Sequence, residues 1–191
     1  MNPIKPSRPL ALIALCLVAG SAAAHTGDHP ASGFASGLAH PFLGLDHLLA
    51  MIAIGLWAAQ QGGRALWAVP AAFVSAMLLG GVLGSAGWAL PQIETGIAVS
   101  VLVLGLLIAT HRRAPLLAGM TLAAVFALFH GTAHGLEMPQ TATPALYALG
   151  FVLATACLHG AGMAGSLIGR YTMRLAGMGI AAAGLALVAG V

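Results

Sequence analysis

The sequence contains very little charge. Only 6% of its 191 residues are charged, whereas 60% are hydrophobic, and the mean hydropathy is +0.98. A soluble domain needs more polar surface than this composition supplies. The sequence therefore predicts an all-α integral membrane protein.

Features of several other protein classes are also missing. The 2 cysteines are Cys16, in the leader, and Cys157, in an apolar segment, so no disulfide framework is available. No glycine-rich phosphate-binding motif is present, which argues against direct coupling to ATP. Glycine itself is abundant, and spacings such as that of Gly80 and Gly84 predict closely packed helices.

The first 24 residues have the pattern of a secretory signal peptide. A short basic stretch is followed by an apolar run and by small residues before position 25. We predict that 1–24 is removed and that 25–39 forms a short periplasmic tail, whose His25 and His29 are secondary candidates for metal binding. The alternative is a first helix that is retained.

Apolar segments fill the rest of the chain. Each is close to the ~20 residues that a helix needs to cross a bilayer, and the short connections between them carry glycine and proline. The segments are 41–59, 65–88, 93–110, 115–136, 144–168 and 175–191. Residues 40–191 are therefore predicted to form one transmembrane domain of six helices.

The arginines predict the orientation of this domain. After a cleaved signal peptide the chain starts outside, and all basic residues after position 24 then fall in connections on the cytoplasmic side. They are Arg64, Arg112, Arg113, Arg170 and Arg174. We expect a protein of the bacterial inner membrane with both termini in the periplasm. The same placement argues against binding to nucleic acid.

One group of polar side chains ends the fourth segment. His130, His134 and Glu137 are spaced by four and three residues, which places them on one face of a helix. On the predicted topology this group lies near the outer surface. Its two imidazoles and one carboxylate resemble half of a metal site.

A second group opens the first segment, with His40, Asp46 and His47. It is predicted at the same outer side, as is Glu94 at the start of the third segment. His159 lies in the fifth segment, about 22 Å from its start at 1.5 Å per residue, and is a candidate for a second station on the way inward.

These residue types indicate a transition metal. Ionisable groups within a membrane usually face a partner or a wet cavity, because a charge at the centre costs about 2.5–3.5 kcal/mol or more. Imidazole and carboxylate without thiolate favour nickel, cobalt, zinc, copper or iron over magnesium and calcium. The candidate ligands are His40, Asp46, His47, His130, His134 and Glu137, with Glu94, His159, His25 and His29 as secondary candidates.

The two groups resemble the motifs of the HupE/UreJ family of hydrogenase and urease accessory membrane proteins. The matching residues are His40, Pro41, Gly44, Asp46 and His47, then Phe129, His130, Gly131, Ala133, His134, Gly135 and Glu137. The resemblance implies a permease that transports nickel or cobalt for metalloenzyme maturation, with these histidines and acids as metal ligands. It implies no prosthetic group and only an indirect link to hydrogenase or urease maturation proteins.

Two other functions are weighed against transport. A zinc-dependent intramembrane hydrolase could use Glu137 or Glu94 as general base, although no serine lies near the motifs in the sequence. A haem protein would use histidines of facing helices as axial ligands. Finally, segments one to three and four to six are interpreted as an inverted repeat, because a motif-bearing helix opens each half.

Overall fold

The computed structural model describes residues 32–139 and 141–190. Within these ranges the chain forms helices joined by short turns. The elements are α1 (Ser32–Ala39), a 3-10 turn (His40–Phe42), α2 (Leu45–Gln61), α3 (Ala65–Ser85), α4 (Ile93–Ala109), α5 (Leu116–Glu137), α6 (Pro144–Gly165) with a 3-10 extension (Ser166–Ile168), and α7 (Arg170–Ala189). The predicted signal peptide and the residues His25 and His29 lie outside the described residues.

Four of these helices are long and apolar enough to cross a membrane, namely α3, α5, α6 with its extension, and α7. The segment Gly33–Phe42 and α2 would together make a fifth span, but they meet at an angle of 80°. Helix α4 is apolar but has only 17 residues. The all-helical membrane class is therefore confirmed, and four helices, or five if the bent pair counts as one span, meet the length and hydropathy expected of a crossing, so the predicted six crossings are not confirmed.

The first predicted segment, 41–59, differs most from the structure. It is interrupted at Gly44, whose extended backbone (φ −104°, ψ 123°) precedes α2. Pro41 lies at the start of the 3-10 turn, where the backbone N–H that proline lacks would have no partner within the turn. Asp46 and His47 consequently occupy the first turn of α2, whereas a continuous helix from residue 41 would place them five and six residues beyond its start.

Small residues explain why the second half of the predicted tail is helical. Helix α1 packs against α6, and a side chain on Gly37 would overlap the backbone of Tyr147. Gly150 lies in the same way against the backbone of Phe34. This packing fixes α1 and, with it, the position of His40.

Helix α2 is the centre of the bundle, and it contacts α3, α4, α6 and α7. Its Met51, Ile54 and Trp57 are completely buried. The most extensive packing joins α3 with α5 and α4 with α7, followed equally by α2 with α6 and α1 with α6. Gly80 and Gly84 lie directly against the backbone of α5, so the predicted role of this spacing in close helix packing is confirmed.

The two ends of the bundle carry opposite chemistry. We call the end with His40, Asp46, His47, Glu94, His134 and Glu137 the imidazole end, and the end with Arg64, Arg112, Arg113, Arg170 and Arg174 the arginine end. Helix α7 begins at Arg170, five residues before the predicted start at 175, so Arg170 and Arg174 lie within the helix. Arg174 donates from Nε to the carbonyl of Ala109 at 3.3 Å, which joins α7 to the end of α4.

Candidate metal centre

Residues of both motifs meet at the imidazole end. Nε2 of His40, in the 3-10 turn, lies 3.1 Å from Oε2 of Glu137, the last residue of α5. One ligand atom each from His40, His134 and Glu137 lie within 4.8 Å of one another. We call these three residues the mouth triad. The triad can offer two imidazoles and a carboxylate to one ion, and it joins positions 97 residues apart.

A second layer lies behind the mouth triad. The ring centroid of His47 is 4.3 Å from that of His134 and 4.8 Å from that of His130. His130 is completely buried, whereas the side chain of Glu137 is 52% exposed. We call His47 and His130 the inner pair. His134 contacts residues of both layers.

A polar cavity of about 270 Å³ opens beside these groups. Its lining consists of His40, Leu43, Gly44, Asp46, His47, Glu94 and Glu137. Glu94 is in the first turn of α4, and the structure therefore places this secondary candidate beside the main group. All the acidic residues of the described ranges face this one cavity.

Asp46 contacts its neighbour His47 through one oxygen. Oδ1 accepts hydrogen bonds from the backbone nitrogen and from Nδ1 of His47, both at 2.7 Å. Because an ionised carboxylate only accepts, Nδ1 of His47 carries a hydrogen. Nε2 is then the nitrogen with a free lone pair, and it is buried with no partner in the described part of the chain.

Ser100 of α4 contacts His130, and sequence reasoning missed it. Its Oγ lies 2.9 Å from Nε2 of His130 and 2.7 Å from the carbonyl of Ile97. No serine lies within the motifs along the chain, but the fold brings Ser100 against His130. The only available signal was a polar residue in the otherwise apolar middle of a helix. Ser100 is completely buried, which does not suit a nucleophile.

Ring nitrogens without partners are concentrated at this end. They are buried, and none has a hydrogen-bond partner within 32–139 and 141–190. They are Nε2 of His47, Nδ1 of His130 and both nitrogens of His134. An unsatisfied buried polar group costs roughly 1–3 kcal/mol. Several in one place are expected where a ligand supplies the missing contacts.

His159 lies deeper and apart from the mouth triad. Phe73 of α3 separates it from His130, with ring centroids 5.4 Å from His159 and 5.9 Å from His130. Nε2 of His159 is also buried and unpartnered among the described residues. The structure thus brings His40, Asp46, His47, Glu94, His130, His134 and Glu137 together and leaves His159 behind an aromatic ring.

Helix α6 connects the two levels with a stripe of side chains at four-residue spacing. The ring centroid of Tyr147 is 5.9 Å from that of His40, and that of Phe151 is 4.0 Å from that of His134. Thr155 follows one turn further and donates to the sulfur of Met51 at 3.4 Å. His159 ends the stripe.

Comparisons with known proteins agree with the motifs. Residues 13–187 match the family model described as HupE / UreJ protein. The chain is 45% identical over 195 residues to Protein HupE of Rhizobium leguminosarum bv. viciae, and the alignment covers 100% of both chains. No solved structure matches the chain significantly.

Proposed function

Because the chain belongs to the HupE/UreJ family, we propose that it transports a divalent transition metal ion, nickel or cobalt, into the bacterial cytoplasm. The observation that carries this proposal is the mouth triad, in which ligand atoms from two sequence motifs lie within 4.8 Å of one another. The ion is the substrate, and it supplies the maturation of a hydrogenase or urease.

The donor set suits such an ion. Carboxylates collect any dication, but neutral imidazoles bind late first-row metals far better than magnesium or calcium. Glu94 and Glu137 are exposed at the cavity, His40 and His47 line it, and the buried His130 and His134 lie behind it. A hydrated ion would meet the acids first and lose water to imidazoles afterwards.

The proposed topology has six crossings, formed by α2 to α7, with both termini in the periplasm. Helix α4 supplies the extra crossing, because its 17 residues span about 25 Å at 1.5 Å per residue, close to the ~30 Å hydrocarbon core. With the arginine end in the cytoplasm, the chain follows the positive-inside rule. The imidazole end is then periplasmic and faces incoming metal.

Two helix pairings support an inverted repeat of α2–α4 and α5–α7, although the contact of α2 with α4 has no counterpart of similar extent between α5 and α7. Under this exchange the close pair α3 with α5 becomes α6 with α2, which is also a close pair. The pair α4 with α7 exchanges into itself. We propose that the two halves are related in this way, as in many transporters.

The route inward follows the stripe on α6. An ion passes from the mouth triad to the inner pair, then past Phe73 to His159, and leaves at the arginine end. Conduction requires ligands that are strong enough to replace water and weak enough to release the ion. Unpartnered ring nitrogens at successive depths support this route.

The geometry argues against a hydrolase with a serine nucleophile and against haem ligation by His47 and His134. A nucleophilic serine must reach its substrate, but Ser100 is completely buried and its hydroxyl lies against the carbonyl of Ile97. Axial haem ligands must be separated by the macrocycle, whereas the rings of His47 and His134 are in direct contact at 4.3 Å.

Nickel and cobalt uptake into cells that express the protein tests the proposal. His134→Ala removes the residue shared by both layers, and we expect uptake at limiting metal to fall about 10-fold or more. His111→Asn, at the arginine end, is the matched control and keeps its uptake, because asparagine tolerates the positive φ of 54° at this position. Equal uptake by both variants at equal protein levels would contradict the proposal.

A further inference from the structure

Each histidine of the inner pair has one ring nitrogen held by a neighbour and the other nitrogen free. For His47 the neighbour is Asp46, and for His130 it is Ser100. The free nitrogens are Nε2 of His47 and Nδ1 of His130, and both are buried without a partner among the described residues. One neighbour is a carboxylate and the other a hydroxyl, but each leaves one ring nitrogen of its histidine free to bind a ligand.

The hydrogen atoms at Ser100 fix which nitrogen of His130 is protonated. A hydroxyl has one hydrogen to donate. If that hydrogen goes to the carbonyl of Ile97 at 2.7 Å, Oγ accepts from Nε2–H of His130 at 2.9 Å, and every hydrogen has an acceptor. In the opposite arrangement Nδ1–H of His130 would be a buried donor without an acceptor, which is the costlier defect.

We propose that Ser100 and Asp46 are positioning residues that select the tautomers of His130 and His47. The inner pair thereby presents two nitrogen lone pairs for a late first-row dication. This proposal rests on the proposed transport function, because it describes the station that follows the mouth triad. Neighbours that fix the tautomer of a metal-binding imidazole are general features of metal sites.

The inner pair then differs from the mouth triad in selectivity. The mouth triad includes the Glu137 carboxylate and admits hard cations as well. The inner pair offers imidazole nitrogen, since the Asp46 oxygen that lies closest is engaged by His47. Magnesium and calcium, which require oxygen ligands, would not pass this point.

Nitrogen NMR of the purified full chain without metal tests the tautomer directly. With ¹⁵N-labelled histidine, protonated and unprotonated ring nitrogens have separate chemical shifts, and His130→Gln identifies the His130 signals. We expect Nε2 of His130 to be protonated and Nδ1 to be unprotonated in the wild type. The reverse assignment overturns the proposal, even if no Ser100 variant accumulates.

Variants separate this role from a purely structural one. Ser100→Ala should give a mixture of His130 tautomers and weaken nickel binding in titration calorimetry about 10- to 100-fold, as loss of such a neighbour typically does. Ser100→Thr keeps the hydroxyl and should restore the wild-type tautomer. Thr132→Val is the control, because Thr132 is equally buried and its hydroxyl bonds the carbonyl of Leu128.

The outcomes distinguish this proposal from the transport function. An unchanged His130 tautomer in Ser100→Ala, or equal losses of nickel affinity in Ser100→Ala and Thr132→Val, overturns the positioning role and leaves transport untouched. A wild type that binds nickel with the expected tautomer but accumulates no metal in cells contradicts transport and leaves the positioning role standing.

Discussion

The imidazole end and the arginine end both contain buried or half-buried polar side chains from several helices, but they use them differently. At the arginine end most of these side chains bond to one another or to the backbone: Gln60 contacts His111, and Gln61 donates to the carbonyl of Arg112 at 3.0 Å. One atom there, Oε1 of Gln60, is buried without a partner among the described residues. At the imidazole end several ring nitrogens lack any partner within the described ranges. Unpartnered polar atoms are therefore concentrated at the imidazole end, where we propose that a metal ion binds.

The distribution of charge strengthens this contrast. In the described ranges the acids line the cavity at one end, and the arginines lie at the other. On the proposed topology the arginines mark the cytoplasmic side, and we expect the acids to attract cations at the opposite surface. On this proposal the residues that orient the protein in the membrane and those that bind the metal ion lie at opposite ends of the bundle.

Removing the carboxylate of the mouth triad should reduce nickel uptake most. In Glu137→Gln the partner of His40 at 3.1 Å loses its charge, and we expect nickel uptake to fall about 10-fold or more. Uptake by cells at limiting nickel measures this. A double variant with His40→Ala should lose little more, because the two residues act together; fully additive losses would show that they do not.

A substitution that pushes α3 and α5 apart should weaken metal binding at the imidazole end nearly as much as Glu137→Gln does. A methyl group on Gly131 would overlap the carbonyl of Met77, and overpacking typically costs about 1–3 kcal/mol. Gly131→Ala should therefore lower both the melting temperature in detergent and the nickel affinity. Gly179→Ala is the control, since a side chain there meets nothing within 4 Å, and equal melting temperatures for the two variants would refute the packing argument.

A smaller effect is expected from Glu94, which lines the cavity but is not part of the mouth triad. Glu94→Gln should slow uptake about two- to five-fold, which corresponds to the 0.5–1 kcal/mol typical of one exposed charge. The effect should appear in the metal concentration required and disappear at high salt. A loss as large as that of Glu137→Gln would assign Glu94 to the ligands instead.

The smallest effect concerns pH and the arginine end. Desolvation, with Arg170, Arg113 and Arg174 nearby, lowers the pKa of His111. The unfolded chain then binds a proton at His111 more tightly than the folded chain does. The contribution of His111 to the free energy of unfolding is therefore full above about pH 6.5, and it is lost as the pH decreases through the lower pKa of the folded state. His111→Asn should reduce this dependence of the melting temperature on pH, and asparagine tolerates the positive φ of 54°. An unchanged slope would contradict the assignment.

Much of the helical order could be predicted from the sequence, because apolar length and the breakers between segments are local properties. Helices α3 to α6 begin and end within a few residues of their predicted bounds. The break at Gly44 and the helix before it could not be predicted, since both depend on the packing of α1 against α6. Hydropathy alone does not contain that information.

The candidate site shows the same limit. The two motifs identified the histidines and acids because ionisable groups are costly in apolar helices, and several of them together indicate a shared binding site. Ser100 gave no such signal, because a single serine is tolerated in most helices, and its role depends on a 2.9 Å contact with His130 across two helices. The division into mouth triad and inner pair likewise depends on distances between helices.

X-ray absorption spectroscopy of the nickel-loaded, purified protein tests most directly the claim that the imidazole end binds the metal ion. His25 and His29 are replaced by alanine in this experiment, so that the predicted tail contributes no imidazole ligand. We predict nickel bound by nitrogen and oxygen, with scattering from at least two imidazoles that decreases in His134→Ala. A spectrum with no imidazole scattering, or one that His134→Ala leaves unchanged, would contradict the account.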